Sequence, residues 1–297
     1  MNGLLLTLKP PGMTSHDVVA LVRRETGEKA GHVGTLDPAA AGLLALALGP
    51  ATRLSRYLTG HDKSYRAEIT FGLSTDTGDA EGEITAQAEA AGLTAQAVAD
   101  GLAALTGKPR LAVPVYSAVK QAGRPLHRRQ RAGEQLEPPE REMRVDGWRL
   151  LEFWPGPRPV ALTDLDCAAG TYVRSLVTAL GEHLGVPAYL SFLVRTRLGS
   201  WRLEQARTLE EIAAAGMLDA VGELLLTPAE ALADLAAFTL PEAELKRVRH
   251  GNPVFVKTGE PPGEQACILD SAGELVVVAR VTSQEGGYLL QPETVLS

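Results

Sequence analysis

The chain has 297 residues, of which 45% are hydrophobic, and a formal net charge of −7 at pH 7. This length allows one large domain or two, and the negative charge argues against nonspecific coating of nucleic acid, so any RNA site must be a local basic patch. Cys167 and Cys267 are too few for a disulfide framework or a cysteine-rich zinc site, which fits a reducing cytoplasm. The apolar run 43–48 is too short to cross a bilayer, so we expect no membrane partner.

Hydrophobic periodicity and turn residues predict alternating strands and helices. In chain order these are a buried strand at 4–8, a helix opened by Thr14 and closed by Gly27, a strand at 43–48, a short helix at 51–58, a strand at 65–71, a helix at 86–105, a strand at 160–167, a helix at 172–184 and a β-rich module from about 238. The run 43–48 is compatible with a helix, but we favour a buried strand. Residues 134–144 carry two prolines and many charges, which predicts an exposed connection.

The run GHVGTLDP at residues 31–38 places one carboxylate, Asp37, on a glycine-rich turn before a proline. Pro38 biases Asp37 towards an extended backbone, and Gly31, Gly34 and Gly42 allow another molecule to approach the main chain. Such a loop can display a reactive group. The residue types alone also fit an ordinary turn.

Two charged segments have alternative interpretations. Between residues 120 and 131 no acidic residue occurs, and the basic ones are Lys120, Arg124, His127, Arg128, Arg129 and Arg131. This is the best candidate for an RNA-binding patch, although a solvated loop has the same composition. Asp76, Asp79 and Glu81 form an acidic cluster, but their spacing does not match a calcium loop, and we favour a structural turn.

Five ordered blocks carry a resemblance to a known family. They are GHVGTLDPAAAGLLALALGPATRLSRYL from residue 31, KPPGMTSHDVV at 9–19, DKSYRAEITFGLSTDTGDAEGEI at 62–84, PVYSAVK at 114–120 and CAAGTYVRSL at 167–176. Together they resemble the TruB family of tRNA pseudouridine synthases over about residues 1–200. The chain departs from the family pattern at Val33, where Thr is usual, at Ala169, where Lys is usual, and at Ala179, where Asp is common.

The resemblance implies an enzyme that isomerises uridine to pseudouridine at position 55, in the TΨC loop of tRNA. The reaction breaks the bond from N1 to C1′ and rejoins the base through C5, so we expect no redox cofactor, metal or energy source. The implied fold is α+β, with a mixed, largely antiparallel sheet flanked by helices. A catalytic domain at 1–232 would carry a basic inserted loop at about 120–145, and a small β-rich PUA-like RNA-binding domain would follow at 233–297.

The resemblance also assigns site residues. Asp37 matches the essential carboxylate, and attack at C6, attack at C1′ or a glycal route all stay open. Arg174 matches the arginine that pairs with this aspartate, and Tyr65 matches the tyrosine that stacks on the base and is the candidate for removing the C5 proton. Without the resemblance, Arg174 reads as a solvated helix residue and Tyr65 as a core residue. The substrate-binding candidates are His32, near the flipped nucleotide, Tyr172, lining the base pocket, Lys9, supporting the loop, and Lys120, Arg124 and Arg128 of the basic stretch.

Two other functions remain open at this point. A guide-RNA-directed pseudouridylase carries similar motifs, and an RNA-folding chaperone would need binding without chemistry. We favour a stand-alone enzyme that acts on tRNA with no obligate protein partner, because splayed bases in a single-stranded loop can be recognised directly.

Overall fold

The computed structural model describes residues 1–116, 119–121, 123–126, 129, 134, 138–257 and 263–296. The strands within these residues are β1 (Gly3–Lys9), β2 (Ala30–Val33), β3 (Ala41–Leu48), β4 (Lys63–Phe71), β5 (Leu73–Thr75), β6 (Ile84–Gln87), β7 (Arg110–Ala112), β8 (Lys120–Gln121), β9 (Arg124–Pro125), β10 (Glu140–Glu142), β11 (Val145–Trp154), β12 (Val160–Cys167), β13 (Ala188–Leu198), β14 (Trp201–Arg202), β15 (Ala236–Thr239), β16 (Val254–Val256), β17 (Gln265–Leu269), β18 (Leu275–Gln284) and β19 (Gly287–Val295).

The α-helices within the same residues are α1 (Ser15–Thr26), α2 (Ser55–Leu58), α3 (Ala95–Ala104), α4 (Val173–Leu184), α5 (Leu209–Met217), α6 (Pro228–Ala231) and α7 (Glu242–Arg249). Short 3₁₀ helices cover Gly49–Leu54, Leu203–Gln205 and Val221–Leu224. None of the described helices is long and apolar enough to span a membrane.

The central sheet has the strand order β1-β3-β13-β4-β12-β11, with β2 added beside β3 and β14 beside β13. All of these pairs are antiparallel except a short parallel contact between β13 and β3. The predicted mixed, largely antiparallel sheet is therefore confirmed. On one edge of β3, β2 pairs with residues 45–48 and β13 with residues 41–42. The loop 34–40, which contains Asp37, connects β2 to β3 and lies near the point on this edge where β2 ends and β13 begins to pair with β3.

The strand β3 is buried along its whole length because it is covered on both faces. Leu44 and Leu46 belong to the core cluster that includes α1, α3 and α4. Leu43 and Ala45 belong to a second cluster, to which the C-terminal sheet contributes Val278. Strands covered on both faces read as continuous apolar runs, so the predicted buried strand at 43–48 is confirmed.

Helix α1 starts and ends at the residues that the sequence indicated. Thr14 accepts from the backbone N–H of Asp17, whose carboxylate accepts from the Thr14 N–H, and this reciprocal capping box starts the helix at the predicted residue. At the other end Gly27 has φ of 67°, a left-handed conformation that glycine adopts at little cost. The structure also confirms four other predicted elements, namely the strands at 4–8, 65–71 and 160–167 and the helix at 172–184.

The predicted helix at 86–105 is wrong in its first half. Residues Ile84–Gln87 form β6, an exposed strand that pairs with β5, and the helix begins only at Ala95. Its N-cap is Thr94, which accepts from the N–H of Ala97. The alanine content of a segment does not show whether another strand pairs with it. A threonine at the N-cap, by contrast, indicates from the local sequence where a helix begins. The predicted helix at 51–58 opens as a 3₁₀ turn before α2, and the connection at 134–144 contains the exposed strand β10.

The C-terminal module, defined as β15–β19 with α7, is a five-stranded sheet in the order β15-β17-β18-β19-β16. Its own core includes Val248 from the helix and Ile268 and Val277 from the strands. The module also contacts the first part of the chain, where Arg53 Nη1 donates to the Val295 carbonyl at 2.7 Å. The β-rich module predicted from about residue 238 is confirmed, and the exact boundary at 232/233 stays a prediction.

Candidate active site

The loop that carries Asp37 is clamped from both sides by buried side chains. Lys9, at the end of β1, donates its ammonium to the carbonyls of Pro38 at 3.1 Å and Ala40 at 2.6 Å. On the other side, Ser15 Oγ donates to the Leu36 carbonyl at 3.0 Å and accepts from the Leu36 N–H at 2.9 Å. The backbone on both sides of Asp37 is therefore held in place.

Asp37 pairs with Arg174, which lies in the first turn of α4. The distance from Arg174 Nη2 to Asp37 Oδ2 is 3.0 Å, and the aspartate side chain is 48% exposed whereas the arginine is 9% exposed. The guanidinium also donates to the carbonyls of Thr77 and Tyr116, both at 3.1 Å, and Nη1 lies 3.4 Å from Asp79 Oδ2. Because the guanidinium is held at several points, it fixes the direction of the more exposed Asp37 carboxylate.

The acidic cluster around Asp79 is the structural turn that we favoured. Asp79 Oδ1 accepts from Thr77 Oγ1 at 2.6 Å and from the Glu81 N–H at 3.1 Å, while its other oxygen faces Arg174. Burial, followed by the charges of Asp79 and Asp37, raises the pKa of Glu81 above its ordinary value. The turn therefore does more than reverse the chain, because it supplies the second carboxylate that holds Arg174.

A cavity of about 520 Å³ opens above this ion pair. Its lining includes Asp37, Lys63, Tyr65, Tyr172 and Arg174. Tyr65 is on the inward face of β4 and is 8% exposed. The volume falls within the range of small-molecule sites, and the lining combines aromatic rings with a carboxylate and two cations.

Tyr65 lies directly opposite Arg195 in the pairing of β4 with β13. Burial raises the pKa of the Tyr65 phenol, and the adjacent Arg195 guanidinium opposes that rise. The Arg195 guanidinium is itself buried and donates Nε to the Leu43 carbonyl at 2.7 Å and Nη2 to the Gly34 carbonyl at 3.1 Å. It thus connects the tyrosine, strand β3 and the start of the Asp37 loop.

The close backbone approach expected at Gly42 occurs within the protein. Gly42 has φ of 110°, and a Cβ there would lie 2.6 Å from the backbone nitrogen of Arg195 and closer still to its carbonyl oxygen. This glycine therefore allows β3 and β13 to meet in parallel, and the expectation that it admits another molecule is wrong. At Gly31 a Cβ would have no atom within 4 Å.

His32 is half-buried on β2, and its ring stands edge-on to His16 with centroids 5.1 Å apart. Burial lowers the pKa of His32 below its ordinary value, and the charges of His16 and Arg195 lower it further. The ring is therefore neutral at pH 7. Its buried Nδ1 has no hydrogen-bond partner among the described residues. Within that same part of the chain, no three His, Cys, Asp or Glu side chains are grouped so as to hold a metal ion.

Lys9 was predicted both to support the loop and to bind substrate. Its side chain is completely buried, and besides Pro38 and Ala40 its ammonium donates to the Pro10 carbonyl at 2.9 Å. Desolvation by burial lowers its pKa. With three carbonyl acceptors and no exposed surface, this ammonium supports the loop, and a direct substrate contact does not fit its position.

The basic stretch is partly neutralised by an acid just beyond it. Glu134 accepts from Arg124 Nη1 at 2.9 Å and from Arg129 Nε at 2.7 Å. These two arginines, Arg129 first, lower the pKa of Glu134. Lys120 is placed by its backbone only, and Arg128, with His127 and Arg131, lies outside the described residues. The substrate-binding roles of Lys120, Arg124 and Arg128 stay predictions.

Comparison with known proteins places the chain in a family. Residues 23–173 match the model of the TruB family pseudouridylate synthases, N-terminal domain. The chain belongs to the TruB family. This TruB-family chain is 50% identical to a tRNA pseudouridine synthase B of Symbiobacterium thermophilum, over 84% of the chain and 82% of that relative. It is 42% identical to a tRNA pseudouridine synthase B of Moorella thermoacetica over 99% of each. It is therefore an isomerase of the pseudouridine synthase class.

Solved structures agree with this membership. The TruB-family chain resembles a protein of a Cbf5-Nop10-Gar1 complex with a TM-score of 0.76 and 27% identity, covering 99% of this chain and 85% of that one. It resembles a protein of an H/ACA RNP bound to a substrate RNA containing 2′-deoxyuridine with a TM-score of 0.75 and 26% identity, at the same coverage. The expected pseudouridine synthase fold is confirmed.

Several residues of the TruB-family site were not singled out from the sequence. Asp79 was read only as part of a turn, and Ser15, Lys63 and Arg195 carried no role. The quoted blocks contain three of these four residues, so motif position is the signal that could have found them. Arg195 is outside every quoted block, and only strand pairing brings it to Tyr65.

Proposed function

We propose that this chain isomerises uridine to pseudouridine in tRNA, at position 55 of the TΨC loop, with Asp37 as the essential carboxylate. The proposal rests on one observation above all, the 3.0 Å ion pair between Asp37 and Arg174 at a cavity that Tyr65 also lines. The two tRNA pseudouridine synthase B relatives, at 50% and 42% identity, support tRNA as the substrate.

Asp37 supplies the carboxylate that attacks or stabilises the reacting nucleoside. The side chain is half exposed to the cavity, while Arg174 and the clamped backbone on either side hold it in one direction. A carboxylate held in this way suits attack at C6, attack at C1′ or support for the departing base, because each step needs an oriented oxygen next to the sugar and base. All three routes use the same placement of Asp37.

Tyr65 stacks on the base and takes the C5 proton once C5 has bonded to the sugar. The phenol lies in the same cavity as the carboxylate, at the start of β4, and only 8% of the residue is exposed. A flipped uridine entering the cavity replaces water around both groups, which strengthens their electrostatic interactions. Tyr172, at the start of α4, forms another wall of the same pocket.

The remaining predicted residues bind the tRNA or support the Asp37 loop. His32, as a neutral ring, contacts the flipped nucleotide, and Lys9 holds the loop. The basic stretch with Lys120, Arg124 and Arg128 meets the phosphates of the T arm. The catalytic part occupies residues 1–232, and residues 233–297 act as a PUA-like RNA-binding domain. The two free, buried cysteines support a cytoplasmic location.

A guide-directed enzyme is the second candidate, because the solved structures that resemble this chain include a Cbf5-Nop10-Gar1 complex. The relatives named tRNA pseudouridine synthase B are more similar in sequence, at 50% and 42% identity against 27%. The two functions differ in what the protein needs, since a stand-alone enzyme acts on a bare tRNA transcript.

The test is release of tritium from C5-labelled uridine in an unmodified tRNA transcript by the pure protein. The arms are wild type, Asp37→Asn, Asp100→Asn as an exposed-aspartate control on α3, and a transcript with cytidine at position 55. We expect release by wild type and Asp100→Asn only, and only from the uridine transcript. Tight tRNA binding by Asp37→Asn without release separates the enzyme from a chaperone. No release by wild type would refute the stand-alone enzyme and point to a guide or partner.

A further inference from the structure

Arg195 lies in the middle of β13 with its guanidinium completely buried. Two of its nitrogens are used, Nε by the Leu43 carbonyl and Nη2 by the Gly34 carbonyl. The third, Nη1, is buried and meets no acceptor at full hydrogen-bond geometry among the described residues, and the Tyr65 phenol is the side chain whose hydrogen bond stabilises this guanidinium. In the part of the chain that the structure describes, no carboxylate contributes to the electrostatic environment of this guanidinium.

A buried cation without a counter-charge is unfavourable. Arginine does not lose its proton in proteins, so it cannot relieve the cost of burial by becoming neutral. A buried donor without an acceptor adds a further desolvation cost. Arg174 shows the ordinary solution nearby, since its buried guanidinium has two carboxylates. Arg195 has no carboxylate among the described residues, so a negative charge that forms beside it is stabilised.

The group that faces Arg195 is the Tyr65 phenol. The two residues are a directly opposed pair in the antiparallel ladder between β4 and β13, where side chains on one face approach each other closely. Tyr65 is the one acidic group that contributes to the electrostatic environment of Arg195 within the described residues. Arg195 is not among the residues that line the cavity, whereas Tyr65 and Gly34 are, so the guanidinium acts on the reaction through these two neighbours.

We infer that Arg195 is a positioning residue for Tyr65. Its guanidinium holds the phenol oxygen in place. It also balances the negative charge that this oxygen carries before it takes the C5 proton. The inference rests on the proposed role of Tyr65 as the C5 base. In that step the C5–H bond of the nucleoside breaks and an O–H bond forms on Tyr65. The proton that Tyr65 gives up beforehand passes to water in the open cavity, so the oxygen is charged before the transfer and neutral after it.

The same guanidinium also contacts both parts of the site, the Asp37 loop and Tyr65. Its Nη2 holds the Gly34 carbonyl at the start of the Asp37 loop, while Nη1 is left for the phenol. Lys63, two residues before Tyr65 on the same face of β4, differs in that its ammonium already donates to the carbonyls of Thr59 and His61. Of these two buried cations, Arg195 is the one that lies directly opposite Tyr65 and counteracts the rise that burial causes in its pKa.

The experiment compares Arg195→Met, which removes the charge, with Arg195→Lys, which keeps it without the planar fork. Arg197→Gln is the control, because Arg197 is on the same strand but pairs with Asp166 and Ser64 outside the site. Each variant is made in the wild-type chain and in Tyr65→Phe. Three quantities are measured, namely the Tyr65 pKa from the ring-carbon NMR signal, the single-turnover tritium release against pH, and tRNA affinity. The chain has six tyrosines, so loss of one signal in Tyr65→Phe assigns it.

We expect Arg195→Met to raise the Tyr65 pKa by about one unit or more and to slow release about 10- to 100-fold at neutral pH, as befits an impaired proton transfer. A higher pKa leaves less phenolate at neutral pH, so the difference in release rate between Arg195→Met and wild type should narrow as pH rises. Arg195→Lys shows a smaller shift in the same direction, and it carries the test if Arg195→Met does not fold. In Tyr65→Phe neither change slows release further.

Three results with the Arg195 variants would overturn the inference. They are an unchanged Tyr65 pKa in a folded variant, a deficit that is equal at every pH, and losses that multiply in the Tyr65→Phe background. Full release by Tyr65→Phe itself would overturn it as well, since the tyrosine would then not be the base. The Tyr65 pKa is read on the free protein, so Arg195 is tested even if the wild type releases no tritium. That last outcome would count against the proposed function alone.

Discussion

Replacing Ser15 by alanine tests the clamp on the Asp37 loop. Ser15 is 1% exposed, and its hydroxyl both donates to the carbonyl of Leu36 and accepts from its N–H, at 3.0 and 2.9 Å. Leu36 is 3% exposed, so water does not reach these two backbone groups easily. Alanine leaves both of them buried and unpaired, directly before Asp37.

The expected magnitude follows from the two lost partners. A buried donor or acceptor without a partner costs about 1–3 kcal/mol, and alanine also removes the cost of burying the hydroxyl, so we expect Ser15→Ala to lower the free energy of unfolding by about 2–3 kcal/mol. This corresponds to a fall of about 3–5 °C in Tm for a chain of 297 residues. A displacement of about 1 Å at a reacting group can cost about 100-fold in rate, so we expect turnover to fall about 10- to 100-fold.

The assay combines thermal unfolding with single-turnover tritium release from labelled tRNA. Ser55→Ala is the matched control, because Ser55 Oγ makes one half-buried bond to the Thr52 carbonyl, at 3.0 Å, away from the site. We expect it to cost about 0.5–1 kcal/mol and no activity. Equal losses of stability in the two variants, or full turnover by Ser15→Ala, would refute the clamp.

Three further predictions follow from other contacts. Gly42→Ala should lower the free energy of unfolding, measured by denaturant titration, by at least about 2 kcal/mol, because φ is 110° and the new Cβ meets the backbone of β13. Gly31→Ala is the control: a Cβ there has open space, so its free energy of unfolding should stay within about 0.5 kcal/mol of wild type. Glu134→Gln releases Arg124 and a second arginine, so tRNA should bind more tightly and the salt dependence of log K should steepen by about one; an unchanged slope in binding titrations would contradict this. Burial holds the pKa of His32 below 6.5, so its contribution to stability is present above the unfolded pKa and is lost as pH falls through the folded pKa. Unfolding free energies of His32→Gln should therefore decline less than those of wild type below pH 6.5, and parallel curves would count against a buried neutral ring.

Local signals made several elements predictable. The capping box of Thr14 and Asp17 and the left-handed Gly27 define α1 within one segment of chain, and alternation along 65–71 identifies the inward face of β4. The helix predicted at 86–105 was wrong in its first half, because the hydrophobic periodicity of β5 and of β6 does not show that these two strands pair. Propensity is a weak guide wherever a partner strand decides the outcome.

The sequence by itself determined the elements with local caps, the glycine-rich loop that presents Asp37 and, through motif order, the family. Only the tertiary structure decided which charges meet. Arg174 reaches Asp37 across 137 positions of chain and Asp79 across 95, and Arg195 meets Tyr65 because two strands pair in one register. Such contacts depend on packing between distant segments, and a shift of one residue in register would turn Tyr65 to the other face of the sheet. The order of residues along the chain does not carry that register.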